Sequence, residues 1–372
     1  MRPTARRRVS VIIAILVLFL LPSARLLADE KDEKKEQDAA KKESLAAALE
    51  GGKVALNLLY RFEIVDQKSL AKTAYASKLR TALSYRTKPY KGLSGFLQAE
   101  NVADVGAADH HNNVGFGDSG NGVTGRPVIA DPPGTEMLQA YMQYDADDST
   151  LRLGRQELIF DDARFVGNVG WRQHHQSFRA LSVDNRSLEN LRVSYRYVDR
   201  AYRITRARAD VNTHLINANA KVGTVGEVTG YAYLLKYDAE GLRGLDTNTF
   251  GAEFKGQTAL GGGGSLRYEL EYATQTDAGN NSKRIDADYL HLMAGGGYQQ
   301  VGFRVGWERL SGSEREGQFQ TPLATLHAFN GWADKFLSTP VNGIEDLYFR
   351  VRWPGRPAAL AARLSRVQGR HR

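Results

Sequence analysis

The chain has 372 residues, no cysteine and a formal net charge of +8. The lack of cysteine excludes disulfides, cysteine nucleophiles and thiolate metal sites. The basic excess lies at the two ends, because residues 1–28 and residues 354–372 each carry five arginines and no acid, which leaves 40 bases against 42 acids elsewhere. The charge therefore gives little support to a nucleic-acid partner, and we expect none.

The first 28 residues have the pattern of a secretory signal peptide. Three consecutive arginines, residues 6–8, precede an uncharged apolar run over residues 9–21, and Ala28 is a candidate cleavage site. The run is shorter than the roughly 20 residues that a membrane-spanning helix needs. Residues 29–50 then alternate acids and lysines and end in alanines, which predicts a charged, solvated periplasmic linker.

From residue 53 onward the main pattern is alternation. Every second residue from Val54 to Ile64 is apolar, and most of the positions between them are polar or charged. This period of two is typical of a strand with lipid on one face and water on the other. It gives about fourteen strand candidates: 53–65, 70–88, 92–103, 136–145, 150–158, 177–184, 190–198, 213–222, 227–238, 247–256, 265–275, 286–295, 298–310 and 346–353.

The connections between these candidates alternate between short and long, as in outer-membrane barrels with short periplasmic turns and longer outer loops. The first outer connection, 66–69, is short and breaks this rule. We therefore predict an all-β fold over residues 51–353, an antiparallel transmembrane outer-membrane β-barrel of about 14 strands.

The same alternation assigns cationic side chains to the barrel interior. An arginine or lysine on the lipid face near the bilayer midplane costs about 2–4 kcal/mol, so these residues are expected to face inward. They are Lys72, Lys78, Arg80, Arg86, Lys88, Arg152, Arg192, Arg196, Arg304, Arg350 and Arg352. The pattern predicts a basic pore wall that favours anions. The alternative is that lumen acids such as Glu63, Glu269, Glu271 and Glu308 neutralise these cations, which then only brace the barrel.

Two long segments resemble signature segments of the alginate-export family of outer-membrane porins. They are residues 151–178, LRLGRQELIFDDARFVGNVGWRQHHQSF, and residues 319–349, FQTPLATLHAFNGWADKFLSTPVNGIEDLYF. The resemblance implies a monomeric barrel with an electropositive lumen that passes the polyuronate alginate across the outer membrane, with loops folded over or into the pore. A neighbouring periplasmic export complex is a possible partner, and no cofactor is implied.

The resemblance also assigns individual residues. The matching positions of the first segment are Gly154, Arg155, Gln156, Asp162, Arg164, Gly167, Trp171 and Arg172. Among them we expect Arg155 and Arg164 to line the pore, with Asp162 on the same path and Arg152 and Arg192 beside them. In the second segment an ordered outer loop that packs inward is expected from His327, Phe329, Asn330, Trp332, Ala333 and Asp334. Its aromatic residues, together with Trp171, would anchor the loop, and Asp334 would cap a turn.

The chain departs from the family at residues 354–372. The family barrel is understood to have eighteen strands, and bacterial barrels usually finish in an amphipathic strand with a terminal aromatic. This segment is alanine-rich and basic, with no strand alternation and no final aromatic. We interpret it as an atypical tail and expect about four strands to be missing through truncation, or else closure as a fourteen-stranded barrel.

Other functions have weaker support. His174, His175 and Ser177 could suggest an outer-membrane enzyme, but no nucleophile motif surrounds Ser177, and we predict no enzymatic activity. His110 and His111 lack a third placed ligand, so no metal site is predicted. The closer alternative shares the fold: a porin that takes up small anions or oligosaccharides. The sequence does not distinguish polymer from monomer or export from uptake.

Overall fold

The computed structural model describes residues 44–106, 110–113, 120–330, 334–353 and 360–367. The predicted signal peptide and residues 29–43 of the predicted linker lie outside them. The chain divides into two units, Met1–Ala47 and Ala48–Arg372. One short helix, α1 (Leu45–Glu50), precedes the strands. No helix in the described part of the chain is long and apolar enough to cross a membrane.

Seventeen strands follow within the described residues. They are β1 (Lys53–Val65), β2 (Ala74–Arg86), β3 (Leu93–Asp104), β4 (Gly134–Ala146), β5 (Ser149–Gln156), β6 (Ser177–Leu188), β7 (Leu191–Tyr202), β8 (Arg208–Val222), β9 (Gly226–Leu235), β10 (Thr247–Leu260), β11 (Gly264–Asp277), β12 (Asp286–Tyr298), β13 (Val301–Leu310), β14 (Gly312–Ser313), β15 (Gly317–Gln318), β16 (Ile344–Arg352) and β17 (Leu360–Val367). Three 3-10 turns occupy Glu240–Leu245, Gly261–Gly263 and Leu326–Ala328.

Fifteen of these strands form one antiparallel meander, in the order β1 to β13, β16 and β17. The two-residue strands β14 and β15 pair only with each other, inside the connection between β13 and β16. In the described residues β1 and β17 are the two ends of the strand order, and no pairing joins them. Each strand therefore returns beside the previous one without a crossover.

The connections fall into two groups on opposite ends of the sheet. At one end they span 66–73, 105–133, 157–176, 203–207, 236–246, 278–285 and 311–343. At the other end the described connections span 87–92, 147–148, 189–190, 223–225, 261–263 and 299–300. The first group is the longer one, which identifies its end as the outer face and the opposite end as the periplasmic face.

The fourteen strand candidates all correspond to strands of the sheet, so the predicted fold class is confirmed. Three local expectations are wrong. The strand β2 begins at Ala74, so Lys72 lies in the first outer connection, which has eight residues instead of four. The same strand ends at Arg86, so Lys88 lies in the first periplasmic connection and not on the strand. The tail was expected to lack strand structure, yet β17 pairs with β16 from Ile344–Val367 to Val351–Leu360. The loss of four strands stays a prediction.

The two faces of the sheet separate as the alternation predicts. Large apolar side chains are exposed at alternate positions, and examples on different strands are Val54, Leu56, Leu58, Leu83, Leu97, Leu153, Ile216, Phe250, Leu270, Phe303, Val305, Leu347 and Phe349. The residues between them, such as Lys78 and Glu308, are buried on the opposite face. An exposed apolar belt around a polar interior is what a bilayer requires of a barrel.

Candidate functional site

Three outer connections fold into the barrel and pack against one another. The connection after β5 forms a parallel bridge between Val166 and Leu323 of the connection after β13. The Gly167 N–H donates to the Leu323 carbonyl at 2.9 Å. The connection after β3 joins them through Asp131, whose carboxylate accepts the Gln173 N–H at 2.8 Å. The described residues of these three connections, 105–106, 110–113, 120–133, 157–176, 311–330 and 334–343, are called the lumen plug below.

Arg164 holds two parts of the lumen plug to the barrel wall. Its side chain is 2% exposed, and its Nε donates to Glu308 Oε1 of β13 at 2.5 Å. A second guanidinium nitrogen donates to Asn330 Oδ1 at 3.1 Å, and Asn330 donates to the other Glu308 oxygen at 2.9 Å. Burial disfavours the charged guanidinium, yet the Glu308 carboxylate raises the pKa of Arg164 above its ordinary value. Arg164 is therefore a structural cation held through Nε and one terminal nitrogen, while its Nη1 is buried with no hydrogen-bond partner among the described residues.

Arg172 makes a second set of contacts between the lumen plug and the wall. It donates to Asp334 Oδ2 at 2.7 Å and to Glu63 Oε2 of β1 at 3.2 Å. Asp131 lies 3.7 Å away from the same guanidinium. Burial opposes its charge, but these three carboxylates raise the pKa of Arg172. The cation thus joins all three plug connections to the first strand.

The aromatic residues expected to anchor the loop lie in this region. The Trp171 ring stacks on His327 with centroids 4.0 Å apart, and the Arg61 guanidinium of β1 lies 4.3 Å from the Trp171 centroid. The Phe329 ring lies 4.8 Å from the Arg164 guanidinium. Asp334 contacts Arg172 and, at 2.7 Å, His327 Nδ1. The other expected anchor, Trp332, and its neighbour Ala333 lie outside the described residues.

Two of the predicted lumen cations are neutralised by acids on the next strand. Lys78 is buried and paired with Asp104. Arg80 Nε donates to Glu100 Oε2 at 2.9 Å, and His174 Nδ1 of the lumen plug lies 2.8 Å from the other Glu100 oxygen. For this part of the wall the structure supports the alternative, in which the cations brace the barrel.

A different group of arginines surrounds a cavity of about 310 Å³, called the arginine pocket below. Its lining residues are Gln143, Thr150, Arg152, Glu157, Leu158, Ile159, Asp184, Arg186, Arg192 and Arg196. Four arginines thus face two carboxylates. The pocket lies on β4 to β7, toward their periplasmic ends, and residues 157–159 of the lumen plug contribute to its lining.

The arginines of the pocket differ in how strongly they are engaged. Arg196 donates to both Asp184 oxygens at 2.9 Å and to the Val183 carbonyl at 2.9 Å. Arg152 donates to Gln143 Oε1 at 2.8 Å, whereas Arg192 is 48% exposed and makes one 3.3 Å contact with Asp184. The pocket therefore combines a fixed ion pair with a guanidinium that a solute can reach.

The pocket brings together Arg152, Arg192 and Arg196, which the alternation of side chains along the strands assigns to the lumen. Sequence analysis missed Arg186 because its strand candidate ended at residue 184, whereas β6 runs to Leu188. The alternation of Ser182, Asp184 and Arg186 was the available signal.

The strands β10 to β13 form an acidic wall of the lumen, built around Glu253, Glu269, Glu271 and Glu308. Glu269 Oε1 lies 2.8 Å from His291 Nδ1, and the Tyr231 hydroxyl donates to Glu271 Oε1 at 2.7 Å. Potential ligand atoms of Glu269, Glu271 and His291 lie within 4.8 Å of one another. The predicted lumen residue Arg304 is half-buried on β13, and the carboxylate of Asp162 accepts the backbone N–H of Arg164 at 2.9 Å. The interior is consequently divided into basic and acidic parts.

The register places Arg155 apart from the lumen. Arg155 is opposite Arg179, while the preceding pair, Gly154 and Ala180, brings the buried Ala180 to the interior side. Arg179 is 46% exposed, and Leu153, two residues before Arg155, is 62% exposed. Since neighbouring pairs face opposite sides of a sheet, the alternation puts Arg155 on the outward side, where its side chain is only 13% exposed and donates to Glu136 Oε2 at 3.0 Å. It is therefore left out of the proposed pore lining.

The three residues that suggested an enzyme each have another partner. The Ser177 hydroxyl accepts a hydrogen bond from Arg155 Nε at 2.8 Å. His174 contacts Glu100, and His175 Nδ1 lies 2.8 Å from Glu157 Oε1. These contacts hold the lumen plug and the strand end in place, and among the described residues no hydrogen bond joins either histidine to Ser177.

The fold is shared with porins of known structure. Acinetobacter baumannii OccAB2 superimposes with a TM-score of 0.65 at 12% identity, over 86% of this chain and 81% of that one. Pseudomonas aeruginosa OpdK, solved with vanillate, superimposes with a TM-score of 0.59 at 14% identity, over 81% of this chain and 78% of that one. Pseudomonas aeruginosa OccD3 (OpdP) superimposes with a TM-score of 0.56 at 15% identity, over 84% of this chain and 72% of that one. These identities are low, so the likeness concerns the fold.

A family comparison goes further than the fold. No curated protein matches the chain significantly. The family model described as alginate export matches residues 96–316, more than half of the chain. That range contains the arginine pocket, the acidic wall and a large part of the lumen plug. The chain therefore belongs to the alginate export family and is an outer-membrane β-barrel channel.

Proposed function

We propose that this channel passes an anionic polysaccharide of the alginate type, a polyuronate, and that the arginine pocket binds its carboxylates in passing. The observation that carries the proposal is the cluster of four arginines against two carboxylates around one cavity. The family match, whose description is alginate export, supports the same class of solute. The proposal includes a monomeric channel that receives the polymer from a periplasmic complex.

The chemistry of the pocket suits weak, repeated binding of carboxylates. A guanidinium can hold a carboxylate through two parallel N–H donors, and each such contact is charge-assisted. Arg192 is half exposed and shares Asp184 with Arg196, so a carboxylate of the solute competes with a resident one. That competition keeps the affinity low, as conduction requires.

Selectivity in planar bilayers tests this proposal. The variant Arg192→Glu combined with Arg186→Glu changes the pocket from four bases and two acids to two bases and four acids. We expect the reversal potential in a salt gradient to move toward cation selectivity, and oligouronate block to weaken by about tenfold or more. The matched control is Arg309→Glu, which faces outward at the far end of β13. An unchanged reversal potential in the double variant would refute the assignment of the pocket.

A second candidate is an uptake channel for small carboxylates. It is favoured by the volume of the pocket, about 310 Å³, which lies at the lower end of ligand sites. It is also consistent with a shared fold, because OpdK was solved with vanillate. Current block distinguishes the two: block by monomeric uronate with none by oligouronates of ten units would favour uptake, and stronger block by the longer chains would favour the polymer.

A further inference from the structure

The outward face of the barrel carries an unusual row of like charges near the outer end of β5, β6 and β7. Arg155 is opposite Arg179, and Arg179 is opposite Arg200. Asp210 of β8 is the next residue of the row. Two residues closer to the outer end, Arg208 is opposite Tyr202, with its guanidinium 5.8 Å from the ring centroid. Arg179, Arg200 and Arg208 are called the outer arginine cluster below.

The burial of neighbouring residues shows that this cluster faces away from the lumen. Phe178, Ala180, Ala201 and Ala209 are buried in the interior core, and each is adjacent in sequence to a member of the cluster or of its row. Adjacent strand residues point to opposite faces. The cluster is thus separate from the arginine pocket, and this inference rests on the outer-membrane location but not on the proposed solute.

The resident acids leave much of the donor capacity of the cluster unused. Arg179 Nε donates to Asp199 at 2.7 Å, and Arg200 Nε donates to Asp210 at 2.5 Å. Both contacts use Nε, and among the described residues no carboxylate is hydrogen-bonded to the terminal nitrogens of these two arginines. Arg208 is exposed, and no carboxylate of the described residues lies within salt-bridge distance of it. Like charges opposite each other destabilise a sheet, and the resident acids Asp199 and Asp210 offset only the charges of Arg179 and Arg200.

The depth of the cluster in the membrane identifies the anion. Leu153 precedes Arg155 by two residues on the same face and is 62% exposed, as part of the apolar belt. At about 3.3 Å per residue the arginine row lies roughly 7 Å beyond it, toward the outer face. This is the level at which lipid headgroups replace hydrocarbon. The outer leaflet of a bacterial outer membrane presents phosphates there, on the lipid A of lipopolysaccharide.

We propose that the outer arginine cluster is a docking site for the phosphate groups of lipopolysaccharide. Guanidinium groups bind phosphate through paired, charge-assisted donors, and their spacing on adjacent strands allows two or three of them to share one phosphate. The acids Asp199 and Asp210 orient two of the guanidinium groups through their Nε atoms. Arg155, which stacks on Tyr202 with its guanidinium 3.7 Å from the ring centroid, closes the inner side of the site.

The test uses the full-length channel in detergent, titrated with lipid A that carries both phosphates and, separately, with enzymatically dephosphorylated lipid A. For the wild type we expect binding that depends on the phosphates and weakens with salt. The variant Arg179→Gln, Arg200→Gln, Arg208→Gln should bind phosphorylated lipid A at least about tenfold more weakly. Its reversal potential in bilayers should equal that of the wild type, because the lumen is untouched.

Two further variants keep the result interpretable. Arg208→Gln alone leaves both ion pairs intact, so it preserves folding and should still lose part of the affinity. The matched control, Arg284→Gln, Arg309→Gln, Arg315→Gln, removes three cations near the outer end of β12 and β13 and should bind as the wild type does. Equal loss in this control would mean a general charge effect and would overturn the site. Complete competition by millimolar inorganic phosphate would also overturn it, in favour of a soluble anion.

Discussion

Replacing Arg164 by methionine should release the lumen plug without unfolding the barrel. Within the described residues, Arg164 is the cation that lies at hydrogen-bond distance from the buried Glu308 carboxylate. The substitution removes this contact and the hydrogen bond to Asn330. Methionine has a similar length and no charge, so the main effect is an uncompensated acid on β13. The strand ladder does not depend on Arg164, because the connection 157–176 lies outside it.

The magnitude follows from the burial of the pair. The two side chains are 2% and 3% exposed. Removing one partner of such a pair costs about 3–5 kcal/mol. At about 1.4 kcal/mol per factor of ten, the fraction of molecules with a released plug should rise by a factor of roughly 10² to 4 × 10³. Local opening of a loop can absorb this energy while the sheet stays folded.

Limited proteolysis and single-channel recording measure the release together. Trypsin should cut after Arg172, which is buried in the wild type, and the mean conductance should increase. The double variant Arg164→Met, Glu308→Gln no longer buries a charge, so it should regain much of the protection. Arg309→Met, an outward arginine on the same strand as Glu308, serves as the control. Protection of the single variant equal to the wild type, or no recovery in the double variant, would refute this account of the plug.

Two predictions concern the barrel wall. Gly154→Ala should destabilise the barrel by about 2 kcal/mol or more, because Gly154 has a φ of +132° and a Cβ there would lie 2.3 Å from the Ala140 carbonyl oxygen. The temperature at which the protein's gel mobility changes on heating measures this loss of stability. The control Gly230→Ala, where the added Cβ meets open space, should leave that temperature unchanged. Ile216→Arg on the lipid face should cost about 2–4 kcal/mol in urea unfolding from vesicles. Asn219→Arg on the lumen face of the same strand should cost much less, and equal costs would contradict the assignment of faces.

The strand pattern could be predicted because the bilayer imposes it on each strand separately. A strand that meets lipid on one side must alternate, whatever its neighbours are, and all fourteen candidates were found for that reason. The fifteenth strand was missed because LAARLSRV places two alanines side by side and offers few large apolar residues. Alternation could also assign Lys78, Arg80 and Arg152 to the interior, since each lies well within its strand.

The position of Arg155 shows where this inference fails. The alternation of side chains along the strand assigned Arg152 to the lumen, whereas the family resemblance assigned Arg155 to it. The two residues are three apart on one strand, so alternation puts them on opposite faces. The pairing of Arg164 with Glu308 could not be predicted either, because 144 residues separate them and the contact depends on how two long loops fold inward. Loop contacts of this kind carry no periodic signal.

Only some of the inward-facing cations can contribute to the anion selectivity of the channel. Lys78, Arg80 and Arg164 are each paired with a carboxylate, which is half-buried for Lys78 and buried for the two arginines, so their charge is cancelled locally and contributes little to the field in the lumen. An excess of positive charge therefore cannot be inferred from the number of inward arginines. It depends on residues such as Arg192, which shares one carboxylate with a second arginine. If release of the lumen plug leaves Glu308 unpaired, the acidic wall gains a charge, and the channel that opens in this way should be less anion-selective than the closed-plug wild type. Comparing reversal potentials of wild type and Arg164→Met tests this coupling, and a shift toward anions would exclude it.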